Sequence, residues 1–392
     1  MHINNQFLKI TLCGIAALGL RFLIVDRFLL GTQVWWQQCI AIVVVFVVGI
    51  GYVFFQTANV IEETTDVLKE RTGLAGGLLQ ALGTAFPDMV IGVMAAVLSF
   101  QARDVDYARA INLAIIAASA TFGSNIYNIV HAAWCVHRQN LANTRHTALF
   151  MFPFFKKGGV LKPFEGHEII PSTEEMDGAV RILTVLTILT AFVAISMVMF
   201  GQVKSGKGEV LGDLYQLVFP AGIVLLFLCI GILYYFRNNQ RPDSPVPEII
   251  EEERYYATQK TWRIWFDLAL SGVAILFAAE SMVRAMEVFS HLAHIPFVVT
   301  GIIAGIIGCF GEMIVVHNFS VHPKGRIGDA IVGVAMDNIV TTMGAAIVAI
   351  LGGIFLGGNS LILIFIIILA ANTVLIQQIS RLRNGIVGVT RA

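Results

Sequence analysis

The feature that most constrains this chain is a succession of ten apolar runs, at 10–31, 36–60, 73–100, 107–135, 179–202, 213–236, 264–286, 296–320, 328–356 and 360–380. A run of about 20 apolar residues matches the hydrocarbon thickness of a bilayer as a helix, and inside lipid a helix satisfies its own backbone. The sequence therefore predicts an all-α integral membrane protein of about ten transmembrane helices. Composition agrees, with 57% hydrophobic and 13% charged residues, against about 25% charged in a soluble domain. A formal net charge of zero, with no basic run, argues against a nucleic-acid partner and leaves lipid and small cations. The cysteines Cys13, Cys39, Cys135, Cys229 and Cys309 show no paired spacing, which argues against a disulfide or zinc framework. Met1 to Lys9 lack a signal-peptide cleavage pattern, so the first run is read as a retained helix.

Polar breaks separate the runs. Within 137–178, Leu149–Phe155 is apolar but too short to span and is expected to lie in the membrane interface. Pro242–Lys260, with Glu248, Glu251, Glu252 and Glu253, reads as a solvated connector. Lys and Arg gather on alternate loops: Lys69 and Arg71, Arg138 to Lys162, Arg237 to Lys260, Lys324 and Arg326, then Arg381 and Arg383. The positive-inside rule makes those loops and both termini cytoplasmic.

Two runs carry carboxylates where charge is costly and usually functional. Gly83-Thr84-Ala85-Phe86-Pro87-Asp88 sets an acid, a proline and a glycine inside the third run. Gly308-Cys309-Phe310-Gly311-Glu312 repeats the plan in the eighth, and Asp337-Asn338 stands one run later, as Ser124-Asn125 does after the first. An offset of five spans inverts the second copy, so Asp88 and Glu312 are expected at one midplane site reached from opposite sides. Gly83, Pro87, Gly308 and Gly311 are expected to break or hinge the helices there, freeing backbone carbonyls. The division predicted is an extra helix at 1–35, a first repeat at 36–236, a cytoplasmic acidic linker at 237–263 and a second repeat at 264–392.

These residues resemble the calcium/cation antiporter superfamily, the sodium/calcium and calcium/proton exchangers. Its inverted repeats each pair a Gly-Thr-Ser-x-Pro-Glu-like turn with a Gly-Ser-Asn-like turn on the next helix. Gly83 to Asp88 followed by Gly123-Ser124-Asn125-Ile126-Tyr127-Asn128 is close to the first copy, and Ser271 to Glu280 is similar to the helix preceding the second. Asp88 replaces the usual glutamate. The second copy lacks the proline and the Thr-Ser pair, has Asp337-Asn338 in place of Gly-Ser-Asn, and ends one helix short.

The resemblance implies a secondary active antiporter, not an enzyme, that exchanges Ca²⁺ for H⁺ or Na⁺ by alternating access, with no cofactor. Calcium takes about six to eight oxygens from carboxylates, carbonyls and water. Asp88 and Glu312 would supply its charge, with Thr84, Ser124, Asn125, Asp337 and Asn338 completing the shell. Sodium-coupled members usually carry an oxygen-bearing side chain at the positions of Ala120 and Val334, which tilts the counter-ion towards H⁺. A cation channel is the alternative. An intramembrane aspartyl protease using Asp88 and Asp337 fits less well, because neither acid has a Gly-x-Gly-Asp turn. Ser124, Asn125 and Asn128 also suit plain interhelical hydrogen bonding. Glu280 with Arg284, and Arg21 with Asp26, read as ion pairs, and His131, His317 and His322 as structural.

Overall fold

The computed structural model describes residues 3–32, 34–72, 76–166, 170–200, 210–239, 255–323, 325–351 and 358–389. Side chains at 3–5, 62, 66, 69, 70, 72, 76–88, 166, 192–200, 210–218, 236–239, 310–311, 358–361 and 387–389 lie outside the description. In chain order, α1 (Ile3–Gly19) passes into a π-helical segment, Leu20–Leu29. Then α2 (Trp35–Val44), a second π-helical segment (Val45–Phe54) and α3 (Phe55–Thr72) follow without a break. After them come α4 (Gly76–Ala102), α5 (Tyr107–Arg145), strands β1 (Leu149–Phe152) and β2 (Phe155–Leu161), α6 (Thr173–Phe200) and α7 (Val210–Asn239). The chain continues with α8 (Thr261–Ala293), α9 (Phe297–Gly308), α10 (Phe310–Ser320), α11 (Ile327–Ile350) and α12 (Gly358–Val389).

Helix occupies every one of the ten predicted runs. Among the described residues, six helices are long and apolar enough to cross a membrane, or seven when the bent pair α9–α10 is one span. The other three expected spans, α4, α6 and α7, run partly through residues whose side chains lie outside the description. The protein is an all-α integral membrane protein. Its one departure among the described residues is the small antiparallel pair β1–β2, formed where the sequence predicted only an interfacial apolar stretch. Leu149 pairs with Leu161 and Phe150 with Val160; Met151 and Leu161 are buried while Phe154 at the tip is fully exposed.

The break expected at Gly83 and Pro87 is not one in the backbone, since α4 runs through both. A proline removes one bond and presses its ring on the carbonyl four residues back, here that of Gly83. In lipid the remaining groups find no water, so the helix is held by its other bonds. At the second copy the helix does end, at Gly308, and restarts after Cys309.

The chain forms two compact units. The first comprises 1–121, 205–308 and 340–357. Its axis is α8, against which α1, α2, α3, α4 and α9 pack. In the first π-helical segment the buried residues are Leu20, Val25 and Leu29, spaced by five and four as i→i+5 winding requires. They pack with Ala41, Ile42 and Val45 around Ala285 of α8. The same winding lets Arg21 reach Asp26, five residues on, at 2.5 Å. Arg21 Nε also donates to Glu280 Oε1 at 2.7 Å, and Arg284 donates to the same oxygen, so both predicted ion pairs merge into one neutral network. Close approaches fall at glycines: a Cβ on Gly92 would meet Thr121 Oγ1 at 2.0 Å, and one on Gly301 would meet Ser119 Cβ at 2.6 Å.

At the end of α3, Arg71 donates to the carbonyls of Ala257 and Gln259 and fixes the turn Tyr255–Thr258 that leads into α8. Tyr256 there is wholly buried and its hydroxyl donates to Asp267 Oδ2 at 3.3 Å. Burial pushes this phenol above its ordinary range, so it remains a donor at physiological pH.

The second unit comprises 122–204, 309–339 and 358–392. Helices α6 and α12 pack together and are joined by Asp177–Arg383 at 2.8 Å. Ser172 and Glu175 exchange hydrogen bonds at the start of α6, a capping box that fixes where this helix begins. Phe122 of α5 meets Phe365 of α12 edge to face at 4.6 Å.

Candidate cation-binding site

The acid on which the second motif centres, Glu312, lies in the first turn of α10 and is 3% exposed. A carboxylate is tolerable at such depth because the first-turn amides of a helix lack intrahelical partners and carry the positive end of the dipole. The restart at Cys309 provides that terminus in the middle of an apolar run. Glu312 Oε2 also accepts a hydrogen bond from Asn128 Nδ2 of α5, so a residue of the first motif touches the acid of the second within unit two.

The other described candidates of this unit are buried too. Ser124 is 0%, Asn125 7%, Asp337 8% and Asn338 3% exposed. Asn125 and Asn128, three apart, and Ser124 and Asn128, four apart, share a face of α5. The side-chain oxygens Asn125 Oδ1 and Asn128 Oδ1 are buried and receive no hydrogen bond from the described residues. Polar oxygens in that condition suit a cation, which supplies the positive charge that a donor otherwise would.

Asp88, Thr84, Gly83 and Pro87 lie on α4, where their side chains fall outside the described residues. Gly308 ends α9, and Gly311 lies in α10 outside the described surroundings. Asn128 is the residue that a reading of the sequence undervalues. Its signal is its place at the end of Gly123 to Asn128, one turn beyond Ser124 and on the same face. A further ion pair, the partly exposed Arg109 of α5 with the buried Glu287 of α8 at 2.7 Å, joins residues whose separation in sequence gives no sign of it. Asp26, Glu280 and Glu287 are each paired with arginine, and Glu312 meets the amide of Asn128.

No protein-family profile matches the chain, and no curated protein matches it in sequence. Solved structures do share its fold. It superimposes on the "Crystal Structure of H+/Ca2+ Exchanger CAX" with a TM-score of 0.61 and 14% identity, covering 99% of this chain and 89% of that one. With the "Structure of native YfkE" the TM-score is 0.52 and the identity 13%, covering 95% of this chain and 98% of that one. Likeness at such identity is likeness of fold, and this chain has a calcium/cation antiporter-type fold.

Proposed function

We propose that the protein is a secondary active antiporter that exchanges Ca²⁺ for H⁺ by alternating access, built on the two repeats and the cytoplasmic termini expected from the sequence. The observation that carries this reading is the buried carboxylate Glu312 in contact with Asn128, acid of one motif and amide of the other. Unshared carboxylate charge in the membrane interior costs about 2.5 to 3.5 kcal/mol on insertion scales. Such a site therefore changes its accessible side with the acids neutralised, either by Ca²⁺ or by protons. Leak is suppressed because the empty, charged site crosses poorly. Asp88 from α4 is assigned as the second acid, with Thr84, Ser124, Asn125, Asp337 and Asn338 as oxygen donors.

Protons are preferred over Na⁺ as the counter-ion. The positions where sodium-coupled relatives by resemblance carry an extra oxygen are Ala120 and Val334, both buried and apolar. One of the proteins that share the fold is named an H+/Ca2+ exchanger, which supports the same choice. In proteoliposomes, Asp88→Asn and Glu312→Gln are each expected to abolish calcium uptake driven by a proton gradient while still inserting as a monodisperse protein. Uptake at the wild-type rate by Asp88→Asn would remove that residue from the site. Uptake driven by Na⁺ at clamped pH, with none under a proton gradient, would reassign the counter-ion.

A further inference from the structure

Within unit two, the fastening of the β1–β2 hairpin gives its turn a direction. Along α5, Gln139 donates to the carbonyl of Lys162 at the hairpin's base, Arg138 to that of Phe150 and Trp134 to that of Met151. Along α10, Gly159 lies against Val321, whose Cβ would be 2.7 Å from an added methyl. One step nearer the turn, the backbone of Gly158 hydrogen-bonds His317, and Phe152 stacks on the same ring with centroids 5.6 Å apart. Both series run back towards Asn128 and Glu312 as the hairpin nears Pro153 and Phe154. The turn therefore points towards the membrane-spanning part of both helices, and the base points away from it. Ser320 ends both α10 and the apolar run that contains it, and His317 lies three residues, about 5 Å, before that end. One strand residue more, about 3 Å, puts the turn within the roughly 5–10 Å to which interfacial segments sink below the headgroups.

The side chains of the turn suit that depth. Pro153, Phe154 and Phe155 are all exposed, Phe154 completely, and an uncovered apolar cluster on a rigidly fastened element marks an interaction surface. Lys156 and Lys157 follow directly on β2 and are exposed as well. They lie on the way back to the base, where a lysine stem rests along acyl chains while its ammonium group reaches the headgroup phosphates. Charge points to the same occupant. No Asp or Glu occurs between Asp106 and Glu165, a stretch that carries Arg138, Lys156, Lys157 and Lys162, so this face attracts anions.

We propose that the hairpin turn docks anionic phospholipid, with Phe154 and Phe155 among the upper acyl chains and Lys156 and Lys157 on the headgroup phosphate. A protein partner or a second copy of this chain would also cover an aromatic tip. The direction of the turn, into the membrane level, and the lysine pair beside it favour lipid. The surface depends neither on the ion transported nor on the counter-ion.

The test places a reporter at the tip of the full-length protein, Phe154→Trp, and subtracts the emission of the five native tryptophans measured on the wild type. Both proteins are reconstituted in phosphatidylcholine bilayers containing increasing fractions of either phosphatidylglycerol or phosphatidylcholine brominated high on the acyl chain, which quenches an indole it touches. Half-quenching is expected at about tenfold less brominated phosphatidylglycerol than brominated phosphatidylcholine, the scale of two basic side chains at an anionic surface. Adding Lys156→Gln and Lys157→Gln to Phe154→Trp should abolish that preference while the quenching itself remains. An added indole that neither lipid quenches overturns the proposal by placing the tip in water or under a protein partner. Equal quenching by the two lipids, or a preference that survives loss of both lysines, overturns it by removing recognition of the anionic headgroup. None of these outcomes bears on the exchanger reading, because no flux is measured.

Discussion

Glu312 is held by contributions that a sequence reveals unequally. The acid and its costly setting are legible at once, because a carboxylate in an apolar run stands out. Its partner Asn128 lies 184 residues away, and nothing local distinguishes an asparagine that meets an acid from one that bonds a neighbouring helix. The contact makes a directional prediction. In Asn128→Asp a second carboxylate adjoins Glu312, and two such groups cannot both ionise easily, so one of them holds its proton to higher pH. Because calcium needs the deprotonated site, the pH at which uptake is half-maximal should move upward, as read from a pH profile of initial rates. An unchanged midpoint would mean that the two side chains are not neighbours in the working protein. Asp88 is equally plain in the sequence, and its role rests on the flux of its variant.

Among the elements, apolar length predicts where helices lie but not how they wind. The π-helical stretch at Leu20–Leu29 is set by what it packs against: a spacing of five and four only becomes a face once α8 is beside it. The hairpin escapes a reading of apolar length that ends at Phe155, where β2 begins, although Gly159 within β2, at φ +88°, occupies a conformation that favours glycine. Small residues are foreseeable as points of close approach, and Gly301 permits a test. A methyl there would lie 2.6 Å from Ser119 Cβ and 2.9 Å from Ile116 O, so α9 must shift against α5. Gly301→Ala is expected to destabilise by about 1–3 kcal/mol, as overpacking does, seen as a lower melting temperature in detergent. Gly272→Ala on α8 meets nothing within 4 Å and should be neutral or stabilising, since alanine is the better helix former. Equal melting temperatures for the two variants would contradict the packing at Gly301.

For the whole molecule, the predicted halves and the observed units are different partitions. Each unit draws on both halves of the chain, the first taking 1–121 with 205–308 and the second 122–204 with 309–339. Sequence order cannot reveal this, because α5 and α11 each contribute residues to both units. It also explains how the first motif's Asn128 and the second motif's Glu312 come to share one unit. The proposed exchange has calcium and protons cross in opposite directions through Glu312. It is tested most directly by adding calcium outside sodium-free proteoliposomes that contain a pH-sensitive dye, with the membrane potential clamped. Calcium entry should be accompanied by alkalinisation of the lumen in the wild type, and both signals should vanish in Glu312→Gln. Calcium entry with no change in luminal pH, or the same alkalinisation in Glu312→Gln, would contradict it.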